Sequence, residues 1–533
     1  MALFIRRLAA AQPADSSGRR WVYVPYDQLT DAFGPLSSEP ERLGIVLVET
    51  RHKPGRRRYH KQKLLWILTN QRHFALEQAE RGVAVDYRFD VRPYGEVLRD
   101  VVAVRGPLQM MEAAERELRH ELAPLVDEGL LEVVPHEGWL TSVDDLEPER
   151  LPWRMDRFYR RVRQRTGWLM VDGKPEGGKY SHDTANREAW DGAVPLPVAP
   201  EPPVDEITEE AAAAVEEHFG DHPGRLDPRA VVATAEDAQR WWSWALTHAL
   251  PHFGTYEDAM TTASRTLFHT RISPLLNLQR LSARRVVEDV ACSDHPLNAR
   301  EGFVRQVLGW REFVRHVHRL TDGFRALPDG YERDHLGADR PLPQTYWGSA
   351  PSGLSCLDTT VRDVWDTGYS HHIQRLMVLS NLALLMDVDA QELSDWFWVA
   401  YVDAFDWVVE PNVLGMGTFS LGPLMTTKPY VSGSKYLDKM SDYCAGCAFD
   451  PKKSCPITSM YWDFLRRHRD ALGAVQRMRL PLASQRKRSA DRQQHDQRVA
   501  ARVMDLLARG DRVRAVDLTP LQLAVDHLDE SAG

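Results

Sequence analysis

The hydrophobic period of this chain changes once, near residue 236, and that change restricts the fold more than any other feature. Before it, short apolar runs of strand length alternate with helical stretches. WVYVPYDQL (21–29), GIVLVE (44–49), VAVDYRFD (83–90), VVAVRGP (101–107) and LLEVVP (130–135) read as strands. KQKLLWILTNQRHFALEQAERG (61–82) and MEAAERELRHELAPLVDEG (111–129) read as helices between them. Strands alternating with helices predict a parallel, Rossmann-like α/β sheet over residues 1–140. Residues 141–235 read as a connector, rich in Pro and Gly from 170 onward. From 236 to 510 apolar residues recur only at helical spacing, as in AEDAQRWWSWALTHAL and SHHIQRLMVLSNLALLMDV, so a larger all-helical C-terminal domain follows. Residues 511–533 form a short tail. A chain of 533 residues needs more than one core, which agrees with this division.

No run of 18 apolar residues occurs, so no membrane span is expected. The apolar patch at the N-terminus is too short for a secretory signal, and a cytoplasmic location is expected. Net charge is −9, which alone argues against a nucleic-acid binder. Basic residues nevertheless cluster at 51–63, 154–165 and 477–488, and acidic ones at 201–221. A locally basic face can meet phosphates on an acidic protein, because screening confines each charge to ~8–10 Å; solvated helix faces are the plainer reading.

Five cysteines are too few and too unevenly spaced for a disulfide scaffold. Cys444 and Cys447 form one CxxC hook, Cys455 lies eight positions on, and Cys356 lies 88 residues before Cys444. Four thiolates can hold zinc or a 4Fe–4S cluster. Structural zinc more often uses two CxxC hooks, and Pro456 directly after Cys455 recurs in cluster sites. Spacing leaves both metals open. Cys292 stands apart and reads as a buried small apolar residue.

Five motifs occur in order: GWREF (309–313), SHHIQRLM (370–377), PNVLGM (411–416), TKPY (427–430) and MSDYCAGC (440–447). Together they resemble the iron–sulfur bacterial cryptochromes and photolyases, the prokaryotic (6-4) photolyases, over roughly residues 21–470. The resemblance implies FAD in the helical domain, a 4Fe–4S cluster on Cys356, Cys444, Cys447 and Cys455, an antenna chromophore in the α/β domain, and UV-damaged DNA as the partner of a monomer.

It also assigns residues. HTRISPLLN (269–277) is similar to the photolyase phosphate-binding loop and offers His269, Thr270, Arg271 and Ser273 at a helix start, where free N–H groups favour an anion. Tyr256 precedes that loop. Gln306 and Trp310 share a helix face expected to line the flavin, and Arg311 lies beside them as a cofactor contact or a structural ion pair. Arg375 projects on the face of His371 and His372 and is placed to pair with Asp403 near the flavin ring. His372 is expected to donate the proton that rearrangement of a (6-4) lesion needs, with His371 as its neighbour. Tyr430 and Tyr436 would flank a flipped-out lesion, with Lys428 and Lys435 at phosphates. Trp396, Trp398 and Trp347 would carry electrons to the flavin.

Two departures stand out. Phe397 occupies a position where the family often has tyrosine, and phenylalanine is a poor relay. The loop after Glu49, HKPGRRRYHKQK, is longer and more basic than usual; this counts against a lumazine antenna, for which Asp27 and Glu49 are the candidate contacts. The rival function is a blue-light sensor that binds FAD and the cluster without repairing DNA.

Overall fold

The computed structural model describes residues 2–518. Five parallel strands form the N-terminal sheet: β1 (Arg20–Tyr23), β2 (Leu43–Thr50), β3 (Ala84–Asp90), β4 (Leu108–Met111) and β5 (Leu131–Val134), in the order β3-β2-β1-β4-β5. The register pairs Val22 with Ile45 and with Gln109, and Ile45 with Val85. β2 is buried almost throughout, as expected of a parallel strand covered on both faces.

The sequence expectation fails at 101–107. VVAV is the last turn of a helix, Tyr94–Arg105, whose inward residues are Tyr94, Val97, Leu98, Val101 and Val102. Those positions follow a helical period that the β-branched run conceals. Gly106 ends the helix with φ of 81°, and the strand is the next segment, LQMM. The first strand is also shorter than 21–29: it stops at Tyr23, and the chain then turns through Pro25–Gln28.

The 141–235 stretch is more ordered than its composition suggests. Within it, helix Glu206–Phe219 packs on helix Lys61–Glu80 of the α/β unit. The basic segment 51–63 is largely neutralised: Lys53 pairs with Glu115, Arg57 with Glu117, Arg58 with Asp221 and Lys61 with Glu216. Two of those four acids lie in the acidic 201–221 stretch, so one of the sequence's basic clusters meets its acidic one. Among the described residues no strand follows Pro175, only two isolated bridges, and the remainder is helical. The tail expected at 511–533 lies mostly outside the described residues. No described helix is long and apolar enough to cross a membrane.

Candidate functional site

Asp403 joins two segments that are distant in sequence. Its carboxylate receives Arg375 Nη1 at 3.1 Å and Nη2 at 3.0 Å, and Ser273 Oγ donates to Oδ2 at 2.6 Å. Asn277 Nδ2 donates to its carbonyl at 2.8 Å. The expected Arg375–Asp403 pair is therefore present, and Ser273 is committed to it rather than free for an anion. Arg375 also donates from Nε to the Ser370 carbonyl and lies 4.1 Å from the Tyr401 ring centroid.

Arg271 sits in the left-handed region, φ 56°, between the rings of Trp241 and Tyr369. Among the described residues no carboxylate pairs with it, and burial pushes its pKa down. An unpartnered, desolvated guanidinium is what an anionic cofactor group would neutralise. Thr270 is buried beside it and accepts Trp241 Nε1–H at its carbonyl. Tyr256 stacks on Phe268.

Three imidazoles meet beside this clamp. His269 and His371 stack with centroids 4.3 Å apart at 10°, and His372 meets His269 edge-on at 5.4 Å. His269 Nε2 and His371 Nδ1 are buried without a protein partner, an arrangement a bound group would satisfy. One ligand nitrogen from each of the three lies within 4.8 Å of the others, but the stacked His269 and His371 rings keep their lone pairs in near-parallel planes 4.3 Å apart at the centroids, a poor geometry for sharing one ion. Burial holds all three below the usual histidine range; neighbouring imidazoles add to this for His269 and His371, while Glu257 opposes it at His372. Glu257 lies 3.8 Å from His372 Nε2 and is itself fixed by Asn186 at 2.7 Å and Gln306 at 2.8 Å. The sequence pointed to Tyr256 but not to its neighbour Glu257, whose role appears only when residues 186, 257, 306 and 372 come together.

Tyr436 donates to Asp258 at 3.0 Å, and burial raises that carboxyl to about 6. Tyr430 is half-buried. Burial lowers the Lys428 pKa, aided by Arg477 and Arg187, which shows three cations on this side of the site. Trp310 packs on Phe313. Arg311 has other partners: it pairs with Glu312 and lies between Trp139 and Trp407, as a structural ion pair at the joint with the α/β unit.

Among the aromatics proposed for electron transfer, Trp396 and Trp398 part company. Two positions on a helix differ by about 200°. Trp398 turns to the α/β unit, under the Arg57 guanidinium at 4.2 Å. Trp396 faces Tyr346, Phe397, Tyr401 and Trp365. Trp347 is 42% exposed and does not meet Trp396 directly.

Cys356, Cys444, Cys447 and Cys455 all line one cavity of about 310 Å³, with Leu354, Leu437 and Tyr443 around them. None is in a disulfide, and Cys292, expected to be a buried apolar residue, is instead exposed, just past the end of helix Ala283–Ala291. Burial and the mutual repulsion of thiolates push Cys356 well up, and burial raises Cys444 to about 11. Such thiols ionise readily only around a cation.

A second cleft, about 750 Å³, opens at the carboxyl ends of β1 and β2. Glu115, just after β4, also reaches it, so the cleft borders the β1–β4 neighbours, where the strand order reverses and ligands usually bind in such sheets. Tyr26, Glu49, Lys53, Lys63, Trp398 and Phe405 line it. Glu49 is also held by Arg72 in a bidentate pair and by Tyr87. Asp27 lies behind the wall, buried, with one oxygen unpartnered and its pKa raised by burial to about 6.

Residues 22–230 match the family described as deoxyribodipyrimidine photo-lyase-related protein, and residues 303–443 match the FAD binding domain of DNA photolyase. The (6-4) photolyase of Agrobacterium fabrum is 34% identical over 505 residues, covering 90% of this chain and 98% of that one. Among solved structures, a bacterial class III photolyase from Agrobacterium tumefaciens superposes with a TM-score of 0.56 at 15% identity, covering 92% of this chain and 99% of that one. A Synechocystis cryptochrome gives 0.52 at 14% identity, covering 89% and 100%. These likenesses show a photolyase–cryptochrome fold, an α/β domain joined to a helical one. The chain belongs to the deoxyribodipyrimidine photo-lyase-related family of photolyases.

Proposed function

We propose that this protein repairs (6-4) dipyrimidine photoproducts in DNA, driven by light absorbed by a bound FAD. The observation that carries this reading is the histidine trio: two buried imidazoles with unpartnered nitrogens, next to a third that is half-exposed and faces Glu257. When bound and reduced, the flavin supplies one electron to the lesion on excitation. The residues do the rest. Arg271 would meet the cofactor's phosphates, and the Arg375–Asp403 pair would stand at its ring. A lesion taken out of the duplex would lie between His372 and the Tyr430–Tyr436 side, with Lys428, Arg187 and Arg477 near its backbone phosphates. His372 would give its Nε2 proton to the migrating hydroxyl, and Glu257 favours the protonated ring.

The four-cysteine cavity would hold a 4Fe–4S cluster. Its polar lining is four sulfur donors and two hydroxyls, with no histidine or carboxylate, a donor set that iron–sulfur clusters use. The cleft at β1 and β2 would hold an antenna chromophore. Its aromatic walls and buried Lys53 and Lys63 suit a flat, electron-rich heterocycle with carbonyl oxygens.

The test is illumination of purified protein with DNA carrying a (6-4) lesion or a cyclobutane dimer. Light should restore normal bases at the (6-4) site, and His372→Ala should abolish it. If FAD is bound and neither lesion is restored, the sensor reading takes its place.

A further inference from the structure

Phe397 interrupts the relay that the family resemblance implies, yet the interior contains an unbroken line of indoles. Trp396 is fully buried and meets Trp365 at 6.2 Å, edge to face. Trp365 stacks on Trp347 at 6.0 Å and 21°, and Trp347 reaches solvent. We propose that Trp365 is the middle relay of a path Trp396–Trp365–Trp347 that carries electrons from the surface to the flavin. The inference rests on FAD being bound as proposed above, and it names a residue that no motif marked.

Three features of the surroundings support it. First, one carbonyl holds both inner indoles: Tyr346 O accepts Trp365 Nε1–H at 2.8 Å and Trp396 Nε1–H at 2.9 Å. A carbonyl stabilises the acidic N–H of an oxidised indole but cannot take its proton. The hole therefore stays a mobile radical cation instead of being trapped by deprotonation. Second, a neutral ring also stacks on Trp365. His60 stacks on it at 5.7 Å and 8°. Its Nδ1 accepts Gln62 N–H and its Nε2–H donates to Trp365 O, which fixes the neutral tautomer. Third, the alternative branch is electrostatically opposed. Arg57 lies over Trp398 and Arg375 over Tyr401, so a positive hole on either ring faces a guanidinium. Gly348 preserves the stack: its φ is 71°, and a Cβ there would come within 3.0 Å of Trp365 Cδ1.

The electrons balance as follows. Trp396 gives one electron to photoexcited oxidised flavin. Trp365 refills Trp396, Trp347 refills Trp365, and an external thiol refills Trp347. Two passages, with protons from solvent, complete the two-electron reduction.

The experiment follows light-driven flavin reduction in the FAD-loaded full chain with a thiol present. Trp365→Phe should lose most of the wild-type rate, and Trp398→Phe should keep it. If Trp365→Phe retains no FAD, Gly348→Ala, which parts the Trp347 and Trp365 rings, carries the same expectation. Once its flavin is reduced with dithionite in the dark, either slowed variant should repair lesions at the wild-type rate. Wild-type photoreduction in the tested variant overturns the proposal, as does lost repair after chemical reduction, which would make Trp365 structural. A wild-type chain that binds no FAD overturns the flavin reading itself.

Discussion

Asp403→Asn tests whether the clamp between the phosphate segment and the ring segment organises the cofactor site. The substitution keeps the shape but removes the charge, and it places an amide N–H₂ against the guanidinium of Arg375. One of the two hydrogen bonds from Arg375 is lost, the other is left on a neutral amide oxygen, and the bond from Ser273 is weakened. Breaking a buried ion pair by neutralising one partner costs roughly 3–5 kcal/mol. The Arg375 side chain is 27% exposed, so part of that cost is relieved by water. About 2–3 kcal/mol is then the reasonable figure. If the clamp is what sets the separation of Arg271 from the ring side, this appears as weaker FAD binding, by about 30- to 150-fold at 1.4 kcal/mol per decade. Titrating stripped protein with FAD and following the quenching of flavin fluorescence measures it. Ser273→Ala, which removes one bond, should weaken binding less. An affinity for Asp403→Asn within about twofold of wild type would refute the reasoning and make the pair a structural contact remote from the cofactor.

Other expectations concern separate parts of the molecule. Glu257→Gln removes the larger of the two carboxylate influences, Glu257 and Asp183, that raise the His372 pKa against burial; the imidazolium then survives only at lower pH, and the alkaline limb of the pH–repair profile moves toward acid. A limb that does not move would uncouple the two residues. Cys447→Ser should leave the protein without cluster absorbance and with less iron than wild type on metal analysis, while FAD content separates a local loss from misfolding. Lys53→Met removes the cation paired with Glu115, which is buried beside Tyr26; losing one partner of a buried pair costs ~3–5 kcal/mol, so a lower melting temperature and loss of antenna-sensitised repair are expected, with repair on direct flavin excitation retained.

Much of the fold is legible because its signals are local. The strand–helix alternation, the switch to pure helix and the hook Cys444–Cys447–Cys455 are all written within a few turns of chain. Where reading failed, two local signals competed. VVAV at 101–104 has strand composition but sits in phase with Tyr94 and Val97 on a helix face, and Gly106 decides the boundary. The site was legible where a motif supplied it, as with His371, His372 and Arg375. It was not legible at Glu257, Arg187 or Trp365, whose partners lie far away along the chain. One correction was available in advance: Trp396 and Trp398 are two apart on a helix, so they cannot belong to the same row of contacts.

Spacing alone does not choose among the aromatic rings around the Arg375 segment; charge does. A unit hole on Trp398 would face Arg57 at 4.2 Å, a bare repulsion of about 4 kcal/mol at an effective dielectric of ~20, which the Glu117 carboxylate paired with Arg57 offsets in part. Tyr401 bears the same burden from Arg375 at 4.1 Å. Trp396 and Trp365 carry no guanidinium or ammonium over their faces among the described residues; they carry instead a shared carbonyl and a neutral imidazole. Arg375 is placed by its pairing with Asp403, and Arg57 by its pairing with Glu117. Each cation thus acts twice. It completes an ion pair that holds two elements together, and it raises the cost of oxidising the ring beneath it. The row left open leads outward through Trp365. That is why a chain with phenylalanine at 397 need not lose photoreduction: the route is defined by which rings lack a neighbouring positive charge, and the ion pairs of the fold fix that selection.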